Sequence, residues 1–236
     1  MELKYKRVLI KLSGEALSKE NEQGINFESV KKICKAVKEC HESGCKIAIV
    51  IGGGNFWRGK LNPQMDRITA DHIGMLATTM NSLALHDTFT QLGIESIVQT
   101  GIEMSQIAEF YIRNRAVKHL EKNRIVIFGC GTGNPFFSTD TAAALRAAEI
   151  NADIIIKATK VDGIYNKDPK KNIDAIKYDK ITYLDVLNQK LEVMDSTAIS
   201  LCMDNNIPII VLNLYEEKSI LKAIQGKKIG TMVKKY

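Results

Sequence analysis

The chain has 236 residues, of which 45% are hydrophobic and 25% charged, the make-up of an ordinary soluble globular protein rather than a disordered or fibrous one. Basic residues outnumber acidic ones 33 to 27, a net charge of +6, which favours polyanionic partners; the lysine runs at 167–171, 227–228 and 234–235 carry no interleaved aromatics, so nucleic acid is not read as the main partner. No run of about 18 apolar residues is present to span a membrane, and the charged start (Glu2, Lys4, Lys6, Arg7) lacks the apolar stretch of a signal peptide, so a cytoplasmic protein is expected.

The first apolar run, residues 6–12, reads as a buried strand and ends in Lys11-Leu12-Ser13-Gly14-Glu15. A lysine at the carboxyl end of a strand, beside a small-residue loop, stands at the sheet edge where α/β folds bind ligands. The alternative is a lysine whose stem lies on the core while its head reaches water. Residues 18–25 are polar and read as an exposed excursion. Asn26 is a plausible N-cap for a helix starting at Phe27, with Val30, Ile33, Cys34 and Val37 at helical spacing and Gly44 just past its end. The next strand, 45–51, runs into Gly52-Gly53-Gly54-Asn55, then Arg58-Gly59. Three glycines in a row cost roughly 0.5–1 kcal/mol each against alanine, a cost expected where backbone approaches a ligand. Arg58 offers a planar fork matched to phosphate oxygens. Trp57 beside it stacks on a base or packs on a helix. Residues 66–92 read as a long, broken helical stretch ending at Gly93. Its apolar residues (Met75, Leu76, Ala77, Met80, Leu83, Leu85) exceed what one sheet face needs, which marks a subunit contact or extra core. A strand at 94–99, a helix at 105–122 with cations in its last turns and a strand at 124–129 follow.

The most informative stretch comes next. Gly131-Thr132-Gly133-Asn134-Pro135-Phe136-Phe137-Ser138-Thr139-Asp140 lies between the strand residues Ile125–Phe128 and the helix former Thr141–Arg146. Strand, small-residue loop and helix start in that order present backbone N–H groups and a helix N-terminus to an anion. Asp140, at the start of that helix, is a candidate helix cap. A strand at 153–158 leads to a loop at 160–175 long enough to be functional. Helices at 140–150, 182–190, 195–206 and 216–225 and a strand at 207–212 complete the alternation, which specifies an α/β protein with helices on both faces of a mostly parallel central sheet. No Ser/Gly-rich linker divides it, so one domain spanning 1–236 is expected. Cys34, Cys40, Cys45, Cys130 and Cys202 form no CxxC pair and read as small buried hydrophobes in a reducing compartment, not as a zinc site. The G-x-x-x-x-G-K-[ST] loop is absent, as are H-R-D and D-F-G, so the phosphate machinery belongs to another architecture.

Four segments together carry a resemblance: Lys11–Glu15; Ile51–Asn55 with Arg58-Gly59; Gly131–Phe137; and Lys157-Ala158-Thr159-Lys160-Val161-Asp162-Gly163-Ile164-Tyr165 with Asp168-Pro169. From about Tyr5 onward the chain resembles the bacterial uridylate (UMP) kinases of the amino acid kinase superfamily. The resemblance implies a three-layer α/β/α sandwich whose acceptor half is approximately 1–150 and whose ATP half is 151–236. It implies a nucleoside monophosphate kinase that reversibly moves the γ-phosphate of ATP to UMP in pyrimidine nucleotide biosynthesis. Lys11, Leu12, Ser13 and Gly14 would face the ATP phosphates, Gly54 and Arg58 would lie between donor and acceptor, and Thr159, Tyr165 and Asp168 would hold the adenosine part. UMP would lie on Gly53, Asp71, Thr132, Gly133, Asn134, Pro135, Phe136, Phe137, Ser138 and Thr139. Lys11, Arg58, Asp140 and Asp195 would form the catalytic set. Mg²⁺ would be bound through the nucleotide phosphates, with no metal ligand assigned to the chain. A homohexamer activated by GTP and inhibited by UTP is also implied. The alternatives are a carboxylate- or carbamate-phosphorylating kinase of the same superfamily and a nucleotide-sensing regulator without turnover.

Chemistry adds one point. A phosphate monoester has its second pKa near ~6 and is mostly dianionic at pH 7, so UMP brings its own nucleophile and needs no general base. What the reaction needs is charge neutralisation between two polyanions.

Overall fold

The computed structural model describes residues 2–20, 22–58, 64–169 and 171–235; Asn21 of the polar excursion, Gly59 of the arginine motif and Lys170 of the first lysine run lie outside the described residues. In chain order the elements are β1 (Arg7–Leu12), α1 (Phe27–Glu42), β2 (Lys46–Ile51), α2 (Arg67–Gln91), β3 (Ser96–Thr100), β4 (Glu109–Phe110), α3 (Arg113–Glu121), β5 (Ile125–Gly129), α4 (Thr139–Glu149), β6 (Ile154–Thr159), β7 (Ile164–Tyr165), β8 (Lys177–Tyr178), β9 (Lys180–Ile181), α5 (Tyr183–Asn188), α6 (Ser196–Asp204), β10 (Ile209–Asn213), α7 (Ser219–Ile224) and β11 (Thr231–Val233).

The six Ile/Val-rich runs form the body of a nine-stranded sheet in the order β4-β3-β5-β2-β1-β6-β10-β11-β9. Every pairing is parallel except β10 with β11. Burial on both faces explains the unbroken apolar runs. In β1, Val8, Ile10 and Leu12 enter the cluster built with Val30 of α1, Leu85 and Phe89 of α2 and Ile220 of α7. Leu9, pointing the other way, joins Ala116 of α3, Ala142–Ala144 of α4, Val186 of α5 and Ala198 of α6. The three expected layers follow from this period of two. Two-residue strands stand at both edges, too short to template pairing with another sheet.

Asn26 caps α1 by accepting from the Ser29 N–H at 3.0 Å, and Gly44, at φ 91°, takes the left-handed position after it. Two expected helices are corrected. The 66–92 stretch is one unbroken helix of 25 residues, capped by Asp66. The hydroxyls of Thr78, Thr79, Ser82 and Thr88 donate to carbonyls three or four residues earlier in the same helix, so its polar residues are satisfied without a break. The 105–122 stretch is not helical throughout: Glu109–Phe110 pairs with Gln99–Thr100 as β4, and α3 starts only at Arg113. In the 160–175 loop the chain folds back as a ribbon of β7 on β8.

Candidate active site

Because the central strands are parallel, β1, β2, β5 and β6 deliver their C-terminal loops to one edge of the sheet. There the loops after β1, β2 and β5 enclose a cleft of about 340 Å³ lined by Lys11, Ser13, Gly14, Gly52–Gly54, Trp57, Asp71, Cys130–Thr132, Asn134 and Phe137–Thr139, with Gly74, Met75 and Thr78 of α2 forming its wall. The strand-end residues proposed for an anion site thus meet in space.

The loops lock through bare backbone. A methyl on Gly14 would stand 2.6 Å from the Gly52 carbonyl oxygen and 2.8 Å from the Gly54 nitrogen; one on Gly53 would stand 2.8 Å from Ala77 Cβ and 2.9 Å from the Gly74 carbonyl oxygen on α2. Of the three consecutive glycines, Gly53 is therefore required by packing against α2. Gly54 meets only the Glu15 side chain, at 3.6 Å, and faces open space. Past β5 the chain takes the left-handed region at Cys130, Gly131 and Gly133. Gly133 wedges against Gly101 with its nitrogen 2.8 Å from a methyl placed there. The Cys130 N–H donates to Thr78 Oγ1 at 2.8 Å, which ties this loop to α2. Burial pushes the Cys130 thiol pKa up, and the thiol remains protonated.

Lys11 lines the cleft, and behind it Lys11 Nζ lies 2.7 Å from Asp140 Oδ1, while Lys157 Nζ lies 3.1 Å from Asp140 Oδ2. Burial alone would raise the Asp140 pKa; the charges and hydrogen bonds of Lys11 and Lys157 reverse this and hold the carboxyl below its ordinary value. Lys157 is pushed down, chiefly by burial, with Asp140 opposing and Lys11 adding to the effect. Its ammonium also donates to the Val193 carbonyl. The cap of α4 is Ser138, not Asp140. Asp140 sits inside the first turn, where a negative charge complements the helix dipole. Lys157 has no role in the sequence reading above, although a lysine inside the apolar run Ile154–Thr159 is a legible signal.

Asp195 caps α6 through the Ala198 N–H at 3.0 Å, accepts from Thr141 Oγ1 at 3.0 and 3.1 Å, and accepts from Ser138 Oγ. It therefore clamps the end of the 131–139 loop to the β6-α6 side of the sheet. Asp71 lines the cleft and accepts at Oδ2 from the Phe136 N–H at 2.7 Å and from Arg67 Nε at 2.8 Å. The Arg67 guanidinium stands 5.5 Å from the Phe136 ring centre. Phe137, Ser138 and Thr139 face the cleft, while Gly133, Pro135 and Phe136 do not line it. Trp57 donates from Nε1 to the Ala70 carbonyl at 3.0 Å, so the indole packs on α2 while one side of it borders the cleft.

The remaining site residues lie beside this cleft. Leu12 turns its side chain into the core. Arg58 pairs with Glu15 and lines an adjoining cavity with Lys160 rather than the cleft itself. A cavity of about 250 Å³ runs from Ser13 to Thr159, Leu214 and Tyr215, and a further one of about 560 Å³ includes Lys157, Thr159, Tyr165 and Asp168. Tyr165 donates to Asp162 Oδ1 at 2.8 Å.

Comparison with known proteins fits this arrangement. The structure is similar to the UMP kinase from Bacillus anthracis (TM-score 0.95, 42% identity, covering 98% of this chain and 96% of that one). It is similar to the UMP kinase from Ureaplasma parvum (TM-score 0.92, 37% identity, both chains covered in full). A more distant match is the uridylate kinase from Archaeoglobus fulgidus, at TM-score 0.73 and 26% identity over 96% of this chain and 99% of that one. The sequence profile of the amino acid kinase family matches residues 6–213, which takes in every loop of the cleft, and the chain belongs to that family.

Proposed function

We propose that this protein is a UMP kinase, transferring the γ-phosphate of ATP to UMP to give UDP and ADP. The observation that carries the reading is the meeting of two separate cavities at Ser13, with Lys11 beside it on the floor of the first. One cavity is walled by Asp71 and the 132–139 loop; the other runs toward Thr159 and Tyr215. Such an arrangement suits two nucleotides laid phosphate to phosphate, and the whole-chain matches are to UMP kinases. On this reading Lys11 and the Gly54 N–H neutralise charge on the transferring phosphoryl group. Arg58 exchanges its Glu15 contact for phosphate oxygens, and Asp140 holds Lys11 and Lys157 at fixed separation. No proton acceptor is required. Among the described residues no three His, Cys, Asp or Glu side chains gather to hold a metal ion. The oxygens of Asp140 and Asp195 are taken up by lysines, hydroxyls and an N–H. The residues fit a Mg²⁺ that arrives on the nucleotide, held by phosphate oxygens and water, where it supplies further charge neutralisation.

Specificity tests the reading. Uracil and cytosine differ at one exocyclic position that exchanges an acceptor for a donor. A site that pairs with one leaves groups unpaired with the other, a loss of ~1–3 kcal/mol per group. ADP release measured with each nucleoside monophosphate, and with aspartate and acetylglutamate, should show UMP well ahead of CMP and no turnover of the amino acids. Equal kcat/KM for UMP and CMP would overturn it.

We further propose a division into an acceptor half (about 1–150) and an ATP half (151–236), a cytoplasmic location to which five free buried cysteines are suited, and a homohexamer activated by GTP and inhibited by UTP. Ile68, Leu76 and Met80 on α2 are 44–50% exposed, apolar surface that a subunit contact would cover. UTP carries the same uridine as UMP, so its inhibition should weaken as UMP rises. Light scattering at micromolar concentration should give an oligomer; a monomer would reject the assembly.

A further inference from the structure

Asn55 and Asn81 have no part in the contacts above, yet both are buried, with 3% and none of their surface exposed. Each amide donates to the other's oxygen, Asn55 Nδ2 to Asn81 Oδ1 at 2.9 Å and Asn81 Nδ2 to Asn55 Oδ1 at 2.7 Å. Their second donors reach backbone: Asn81 Nδ2 to the Gly52 carbonyl at 2.7 Å and Asn55 Nδ2 to the Gly24 carbonyl at 2.9 Å. The Gly24 N–H returns to the Asn55 carbonyl at 2.8 Å. All four amide protons and both amide oxygens are thus used, and the two backbone carbonyls fix which way each amide points. A fully satisfied buried pair holds one geometry, whereas a half-satisfied one is costly.

What it holds is the glycine loop. Gly52 and Asn55 bracket Gly53 and Gly54, whose N–H groups donate to no acceptor among the described residues. We propose that Asn81 is a positioning residue for phosphoryl transfer. From α2 it pins Gly52 directly and Asn55 through the amide pair. This fixes the direction of the Gly53 and Gly54 N–H groups and ties the excursion at Gly24 to the same loop. Its kinetic part rests on the UMP kinase reading; its mechanical part does not. Donors aimed at charge that develops during transfer act on the transition state, and small misplacements of such groups are expensive in rate.

The test uses the full chain with Asn81→Leu, which keeps the branched skeleton and removes the amide, and Asn81→Asp, which keeps the shape and removes the donors, should the first fail to fold. The control is Leu85→Ala, which opens the core one turn further along the same helix. Per folded molecule, kcat should fall about 10–100-fold in the Asn81 variants, with KM for UMP and ATP changed less than about threefold, the split expected when an interaction made in the transition state is lost. Leu85→Ala should lower the melting temperature and leave kcat near wild type. Amide hydrogen exchange should rise together in residues 51–56 and 22–26 for the Asn81 variants and not for the control. An unchanged kcat in the Asn81 variants overturns the proposal, as does unchanged exchange in those two segments whatever the protein phosphorylates. A wild type that exchanges as expected but does not turn over UMP overturns the function reading and leaves the linkage standing.

Discussion

Lys11→Ala should lower kcat by about 10²–10³ while the protein stays folded, the scale seen when a charge-stabilising donor is removed from a transition state. Lys11 leaves β1 at the cleft floor, and its side chain is only 12% exposed, so water compensates poorly for the missing ammonium. The fold survives because Asp140 keeps Lys157 as its partner. KM for UMP should change far less than kcat, since the UMP site proposed above lies on Asp71 and the 132–139 loop rather than on Lys11. Steady-state ADP release at saturating ATP and UMP, with a circular dichroism melt alongside, measures both quantities. A kcat within a fewfold of wild type would remove Lys11 from the catalytic set.

Asp140→Asn should weaken both the fold and the reaction. One carboxylate holds two lysines, and its loss leaves two like charges side by side in a largely buried site. Removing one partner of a buried pair costs about 3–5 kcal/mol, which for a chain of this size lowers Tm by roughly 6–20 °C. The sign with pH follows from the shifts. The Asp140 pKa is held below its ordinary 3.8, so its contribution is complete above that value and is lost as pH falls through the lower folded value. The deficit of the variant should therefore be full at pH 7 and shrink in strong acid. It should also shrink at alkaline pH, because Lys157 is already pushed down by burial and, without its counter-ion, gives up its proton sooner. Turnover should fall too, yet the acid limb of kcat/KM should stay near pH ~6, where UMP itself titrates. A wild-type melting temperature at pH 7 would contradict the structural role. An acid limb set by an enzyme carboxylate near pH 4–5 would contradict the view that UMP supplies its own nucleophile.

The long strands were legible because both their faces are buried, which writes the run Ile154–Ile156 or Ile47–Ile51 as unbroken apolar sequence. The short ones were not. Glu109–Phe110, Lys180–Ile181 and Thr231–Val233 hold too few residues for any period, and their pairing is decided by neighbours distant in sequence. The candidate cleft was legible where strand ends carry glycine, as at Lys11–Gly14 and Gly52–Gly54, whereas Arg58 lines the adjoining cavity. The purpose of individual glycines was not: Gly53 answers to Ala77 and Gly74 on α2, contacts that only the folded chain creates. Asp140 reads equally well as a cap until Ser138 is seen accepting the Thr141 N–H. Asn81 lies in a helix rich in hydroxyl residues, and nothing in its spacing distinguishes a buried amide bonded to a neighbouring loop from a polar residue facing water.

The three glycine contacts around the cleft, Gly14 on Gly52 and Gly54, Gly53 on α2, and Gly133 on Gly101, have a thermodynamic consequence. Loops pressed together through bare backbone have little freedom left to lose when a nucleotide arrives. The ordering cost of association then falls chiefly on the nucleotide's own torsions and on released water, not on the polypeptide. Calorimetry of UMP binding would on this account show an entropy dominated by desolvation. Introducing a side chain at any of the three contacts would loosen the mould and make the protein itself bear the ordering cost at every encounter.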